Sequence, residues 1–133
     1  MIKLAKLTDY AVVVLAEMAS SRGILLSAST LAERTGLPEP TVAKILKMLA
    51  AGNLIASVRG ANGGYKLERE AASIPITAVI EAMEGPVSLT ACAEGSHDTC
   101  SRKGSCSVEA RWNGVNKALN AALANVTLAD MVQ

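Results

Sequence analysis

The 133-residue chain has three cysteines, Cys92, Cys100 and Cys106, and all of them fall in one short polar stretch with the spacing C-x7-C-x5-C. Thiolates bind soft and borderline metals, and iron–sulfide clusters in particular. Structural zinc sites use ligand pairs with roughly two to four residues between partners. Gaps of seven and five residues contain no such pair. A cluster tolerates wider gaps, because its ligands approach different iron atoms. Three thiols leave one ligand position open. His97 lies inside the stretch, Glu109 follows Cys106 by three residues, and Asp9 is near the start of the chain. Each also has an ordinary role, as a solvated loop residue, an exposed helix charge and a helix N-terminal anion respectively, so the residues themselves leave the choice open. Gly95 and Gly104 let backbone wrap a cluster and point N–H groups at its sulfurs.

The elements around these cysteines decide what the loop can control. Residues 85–104 read as a loop rich in Gly, Ser and charge, between a short helix over Ile76–Glu84 and a long helix from about Ser105 to Ala124. On that reading Cys106 sits in the first helical turn, where the dipole favours an anionic sulfur. Val108, Trp112, Val115, Leu119 and Ala122 recur at steps of 4, 3, 4 and 3. Such heptad spacing suits a dimerisation helix, or packing against the first helix of the same chain. Thr127–Met131 reads as a last helical turn.

Upstream, Ala11, Val12, Leu15, Met18 and Ala19 predict a helix over 8–21 with Thr8 as N-cap. A second helix spans 28–35, capped by Ser27 and ended by Gly36. A third runs from Pro40 to Ala51, stopped by Gly52-Asn53, with Val42, Ile45, Leu46 and Leu49 as its buried stripe. Thr41, Lys44 and Lys47 share another face, from which they can reach phosphates or base edges. Leu54–Arg59 and Tyr65–Leu67 read as strands joined by the glycine-rich turn at 60–64. Helix, tight turn, helix and hairpin in that order define a winged helix-turn-helix. Arg59 beside Gly60, Asn62, Gly63 and Gly64 forms a wing tip suited to a narrow minor groove. A solvated lysine face and a plain hairpin are the ordinary readings of each part; their order argues for double-stranded DNA. The fold class is therefore mainly α with a small β-hairpin, divided as residues 1–84 for DNA, 85–104 for the cysteines and 105–133 for dimerisation.

Apolar residues make up 50% of the chain and Phe is absent, so the core is built from Leu, Ile, Val, Ala and Met. The net charge of +1 is unevenly spread. Residues 1–70 hold nine Lys/Arg against six Asp/Glu, and residues 71–133 hold four against six. The basic excess lies in the predicted DNA-reading half. No apolar run reaches the length of a membrane span, which leads us to expect a cytoplasmic protein whose thiols stay reduced. A thiol enzyme is disfavoured, because the sole histidine is His97 and no C-x-x-C pair exists. Two competing readings keep the winged helix and replace the cluster, by zinc or by cysteine oxidation; an iron–sulfur carrier has no use for a wing.

The opening Leu4-Ala5-Lys6-Leu7-Thr8-Asp9-Tyr10-Ala11, the wing Ser57–Tyr65 and a three-cysteine loop ahead of a Trp112-containing helix resemble iron–sulfur regulators of the IscR and NsrR type. Leu89–Cys92 and Val126–Met131 look most like the subgroup regulating the SUF operon for cluster assembly. The resemblance implies a homodimeric winged-helix repressor with Cys92, Cys100 and Cys106 as ligands of a 2Fe–2S or 4Fe–4S cluster. It implies Asp9, donated by the other subunit, as fourth ligand in the NsrR manner. The chain departs from the IscR manner, with Glu109 where a histidine is expected and a first cysteine gap of seven rather than five residues.

Overall fold

The computed structural model describes residues 2–93, 95–96, 98–109 and 111–132. These form α1 (Lys6–Ser20), α2 (Ala28–Thr35), α3 (Glu39–Ala51), β1 (Ala56–Val58), β2 (Gly64–Lys66), a 3-10 turn (Ala71–Ser73), α4 (Ile76–Glu84), α5 (Trp112–Ala124) and α6 (Leu128–Met131). Val42, Ile45, Leu46 and Leu49 of α3 are fully buried, as their spacing requires. They meet Val14 and Leu15 of α1, Leu31 of α2 and Val79 of α4 in one core. Local capping sets α2: the Ser27 hydroxyl accepts the Thr30 N–H at 3.1 Å, and Gly36 closes the helix at φ 76°. At the end of α3 the left-handed residue is Asn53, at φ 60°. Gly52 serves packing instead, since a Cβ there would lie 2.9 Å from Ala82 Cβ of α4.

The hairpin pairs Ala56 with Lys66, Ser57 with Tyr65 and Val58 with Gly64. Tyr65 also bridges Leu26 through two backbone hydrogen bonds of 2.8 Å, so β2 has a partner on each side. A Cβ on Gly63 would lie 2.1 Å from the Val58 carbonyl oxygen, and one on Gly64 2.6 Å from that of Leu26. Both glycines thus let the chain cross itself. The far end returns to this body. Pro75 bridges Thr127, the Leu128 N–H donates to the Ile74 carbonyl at 2.8 Å, and Leu128 is fully buried.

Two local expectations give way, one to a tertiary contact and one to short-range turns. The first helix begins at Lys6, and Thr8 is not its cap. The Glu84 carboxylate instead accepts the Ala5 N–H at 3.2 Å and the buried Thr8 hydroxyl at 2.6 Å through the same oxygen. A side chain from α4 thereby caps α1. The last long helix begins at Trp112, not Ser105. Ser105, Glu109 and Arg111 each donate N–H to the carbonyl three residues back, which makes tight turns instead of α-helix. The Glu109 carboxylate accepts the Gly104 N–H at 2.7 Å and holds those turns closed. Cys106 therefore precedes the helix and lies outside its first turn.

Candidate nucleic-acid interface and cysteine site

The surface of α3 opposite its buried stripe carries Lys44 and Lys47, both exposed, and Thr41, half-buried. Arg59, Gly60 and Asn62 are exposed at the wing tip, with the Gly63 N–H closing the turn onto the Gly60 carbonyl at 2.9 Å. Among the described residues the ion pairs are Arg34–Glu17 and Lys66–Glu68. Lys44, Lys47 and Arg59 are in neither, so their charges are available to phosphate. Close contacts require Gly63 and Gly64, whereas Gly60 has open space around it and is required by its backbone, at φ 110°.

Cys92, Cys100 and Cys106 are free thiols, each half-buried. Cys92 and Cys100 line one cavity of about 290 Å³ together with Ser96, Asp98, Lys103 and Glu109. Thr90 Oγ1 lies 3.3 Å from Cys92 Sγ. Cys106 is not part of that lining; it connects to it through Glu109, whose N–H donates to the Cys106 carbonyl at 3.3 Å. Among the described residues no three His, Cys, Asp or Glu side chains converge closely enough to hold one metal ion. The donor set, thiols with a carboxylate in a polar cavity, suits iron chemically. His97 lies outside the described residues. Asp9 is exposed and lines a different groove, with Val12, Val13, Ala16 and Met131, along α1 and α6. Asp9 does not line the cysteine cavity of its own chain, so its use as a ligand requires a second copy.

The apolar seam stays on the outside. Val108, Trp112 and Val115 are 46%, 40% and 50% exposed, Ala122 is exposed and Leu119 half-buried. The helix α5 turns a different face inward, onto α4. Its centre is Asn116, 3% exposed, which no apolar periodicity marks. The spacing of Asn116 and Asn120, one helical turn apart, was the available signal for this face. Glu84 likewise carried no local mark, because its partners lie 76 and 79 residues away.

Helices α2 and α3 with the hairpin define a winged helix-turn-helix, joined here to a cysteine loop and an extra helix. Residues 4–133 match the model of the Rrf2 family, described as iron-dependent transcriptional regulators, and the chain belongs to that family. IscR of Yersinia pseudotuberculosis, an HTH-type transcriptional regulator, is 31% identical over 102 residues, 77% of this chain and 61% of that protein. The chain thus spans about three fifths of the length of the IscR relatives it matches. Protein aau3 of Rhizobium meliloti is 33% identical over 134 residues, 98% of this chain and 85% of that one. Among solved structures, CymR, the global cysteine regulator of B. subtilis, superposes with a TM-score of 0.73 at 26% identity, covering 98% of this chain and 96% of its own. IscR of T. potens does so at 0.67 and 31%, covering 98% and 85%. IscR and CymR are both named as regulators. Among the described residues no helix is long and apolar enough to cross a membrane.

Proposed function

We propose that the chain is a homodimeric repressor that binds double-stranded promoter DNA, with an affinity set by an iron–sulfur cluster on Cys92, Cys100 and Cys106. The observation that carries this reading is the pair of free, half-buried thiols, Cys92 and Cys100, in one polar cavity of a winged-helix chain. Residues 1–84 read DNA, 85–104 hold the cluster and 105–133 dimerise. Lys44, Lys47 and Thr41 meet the major-groove edge and phosphates, while Arg59, Gly60, Asn62, Gly63 and Gly64 bring the wing to the minor groove. Val108, Trp112, Val115 and Leu119 pair with the same seam of a second copy, since a solvent-facing apolar strip of this kind is stable when covered. Asp9 of that second copy is the fourth ligand, ahead of Glu109 and His97. The likeness to IscR and to the SUF regulator subgroup supports cluster-assembly genes as targets.

When bound, the cluster supplies an iron centre that can be lost or change oxidation state. The chain's own part is to translate that change. Asp9 stands on α1, which packs against α3, so freeing or holding Asp9 shifts the platform beneath the recognition helix. Anaerobic purification with iron and sulfide analysis, native mass spectrometry and gel shifts on the protein's own promoter test this together. The expected result is a dimer carrying iron and sulfide whose DNA affinity changes when they are removed. In Asp9→Ala the cluster becomes unstable and the DNA response weakens; an unchanged spectrum and response remove Asp9 as ligand. A preparation free of iron after reconstitution, or one holding zinc, rejects the cluster. A second reading, sensing by thiol oxidation, uses the same three thiols and is supported by the likeness to CymR, a cysteine regulator. Peptide mapping after peroxide treatment distinguishes it.

A further inference from the structure

The cysteine loop is fastened at its entrance by one buried side chain. Asn116 Oδ1 accepts the Leu89 N–H at 2.9 Å, and Asn116 Nδ2 donates to the Val87 carbonyl at 3.0 Å. The amide thus treats Val87–Leu89 as a neighbouring strand would, using its donor and acceptor at once. Asn120 Nδ2 adds a longer bond to the same Val87 carbonyl, 3.3 Å, and one of 3.1 Å to the Asn116 carbonyl. The connection continues toward the thiols. Leu89 adjoins Thr90, whose hydroxyl lies 3.3 Å from Cys92 Sγ. Beneath α5 a partly open cavity of about 400 Å³ is lined by Leu119, Leu123, Ile80, Leu4 and Pro86, while Leu123 also packs on the core. Apolar contact alone is not directional, so the specific hydrogen bonds of Asn116 help fix where α5 rests against the loop.

We propose that Asn116 is the positioning residue that makes the cysteine loop and α5 move as one, so that a change at Cys92 repositions the seam carried by α5. The proposal deepens the regulatory reading and rests on it for its biological purpose, but its test needs no cluster. In that test the loop of the metal-free, reduced chain is disturbed by alkylating the three thiols with iodoacetamide. Amide hydrogen exchange is then followed by mass spectrometry in peptides covering 86–91 and 112–124. In the parent, alkylation speeds exchange in both peptides. In Asn116→Ala, exchange in 86–91 is already about fivefold to tenfold faster before alkylation, as expected for losing a buried hydrogen-bonded partner. Alkylation then leaves 112–124 unmoved.

A purely structural Asn116 gives a different result: the variant exchanges faster, yet 112–124 still responds to alkylation as in the parent. That outcome overturns the proposal, as does a parent helix that ignores alkylation. Should Asn116→Ala fail to fold, Asn120→Ala removes the weaker amide on the Val87 carbonyl and must still diminish the response of 112–124; an undiminished response overturns the proposal as well. Reconstitution of the parent with iron and sulfide is measured separately. Its failure rejects the cluster and leaves the exchange result standing.

Discussion

Replacing Glu84 tests whether the start of α1 is held from another helix. One Glu84 oxygen accepts the buried Thr8 hydroxyl at 2.6 Å and the exposed Ala5 N–H at 3.2 Å. The first is short, charge-assisted and made by a donor with no exposed surface, so it contributes about 1.5 kcal/mol. The second is long and wet and contributes about 0.5 kcal/mol, the low end for a cap. Glu84→Ala therefore costs about 2 kcal/mol, or roughly 6–10 °C in Tm for a chain of this size. Glu84→Gln keeps an acceptor without the charge and costs about half as much. Thr8→Val removes the donor and leaves Glu84 free to hydrate, so it costs about 1 kcal/mol or less. The decisive measurement is the double variant in urea unfolding. Once Thr8 is Val, removing Glu84 strands no hydroxyl and loses only the Ala5 bond, so the two costs combine with a coupling of about 1.5 kcal/mol. Strictly additive costs refute the reasoning, because they mean the 2.6 Å contact contributes nothing to stability.

Lys44→Ala and Lys47→Ala should each weaken promoter binding and reduce the slope of log affinity against log salt by about 0.9, read from titrations at several salt concentrations; an unchanged slope removes that lysine from the phosphate contacts. Val115→Asp places a charge on a 50% exposed position, so helix content should persist while sedimentation shows monomers; a persisting dimer rules out this seam as the interface. Gly64→Ala drives a Cβ to 2.6 Å from the Leu26 carbonyl oxygen, forcing the backbone apart at a cost of about 1–3 kcal/mol, and an unaltered Tm contradicts that contact.

Much of the winged helix was legible because its signals are local. The Ser27 cap, the left-handed Gly36, the stripe from Val42 to Leu49, and Pro75 and Gly85 bounding α4 all act within about one helical turn. The glycine-rich wing was legible for the same reason. Its third partner, Leu26, was not, because the Leu26–Tyr65 bridge joins segments far apart in the chain. The three cysteines were legible as candidate donors. The division of the donors, with Cys92, Cys100 and Glu109 around one cavity and Asp9 on another groove, depended on how the loop folds.

The amino-acid order alone determined which segments coil, where most of them stop, and which side chains could bind a metal or a phosphate, since each depends on neighbours a few residues away. Tertiary structure decided the rest. It made Thr8 a buried donor to Glu84 and turned Asn116 inward while leaving Trp112 and Val115 outside. The physical reason is that a buried polar group takes whichever partner the packed chain brings within hydrogen-bond reach. That partner can stand 76 residues away, as Glu84 does from Thr8, where no local pattern records it.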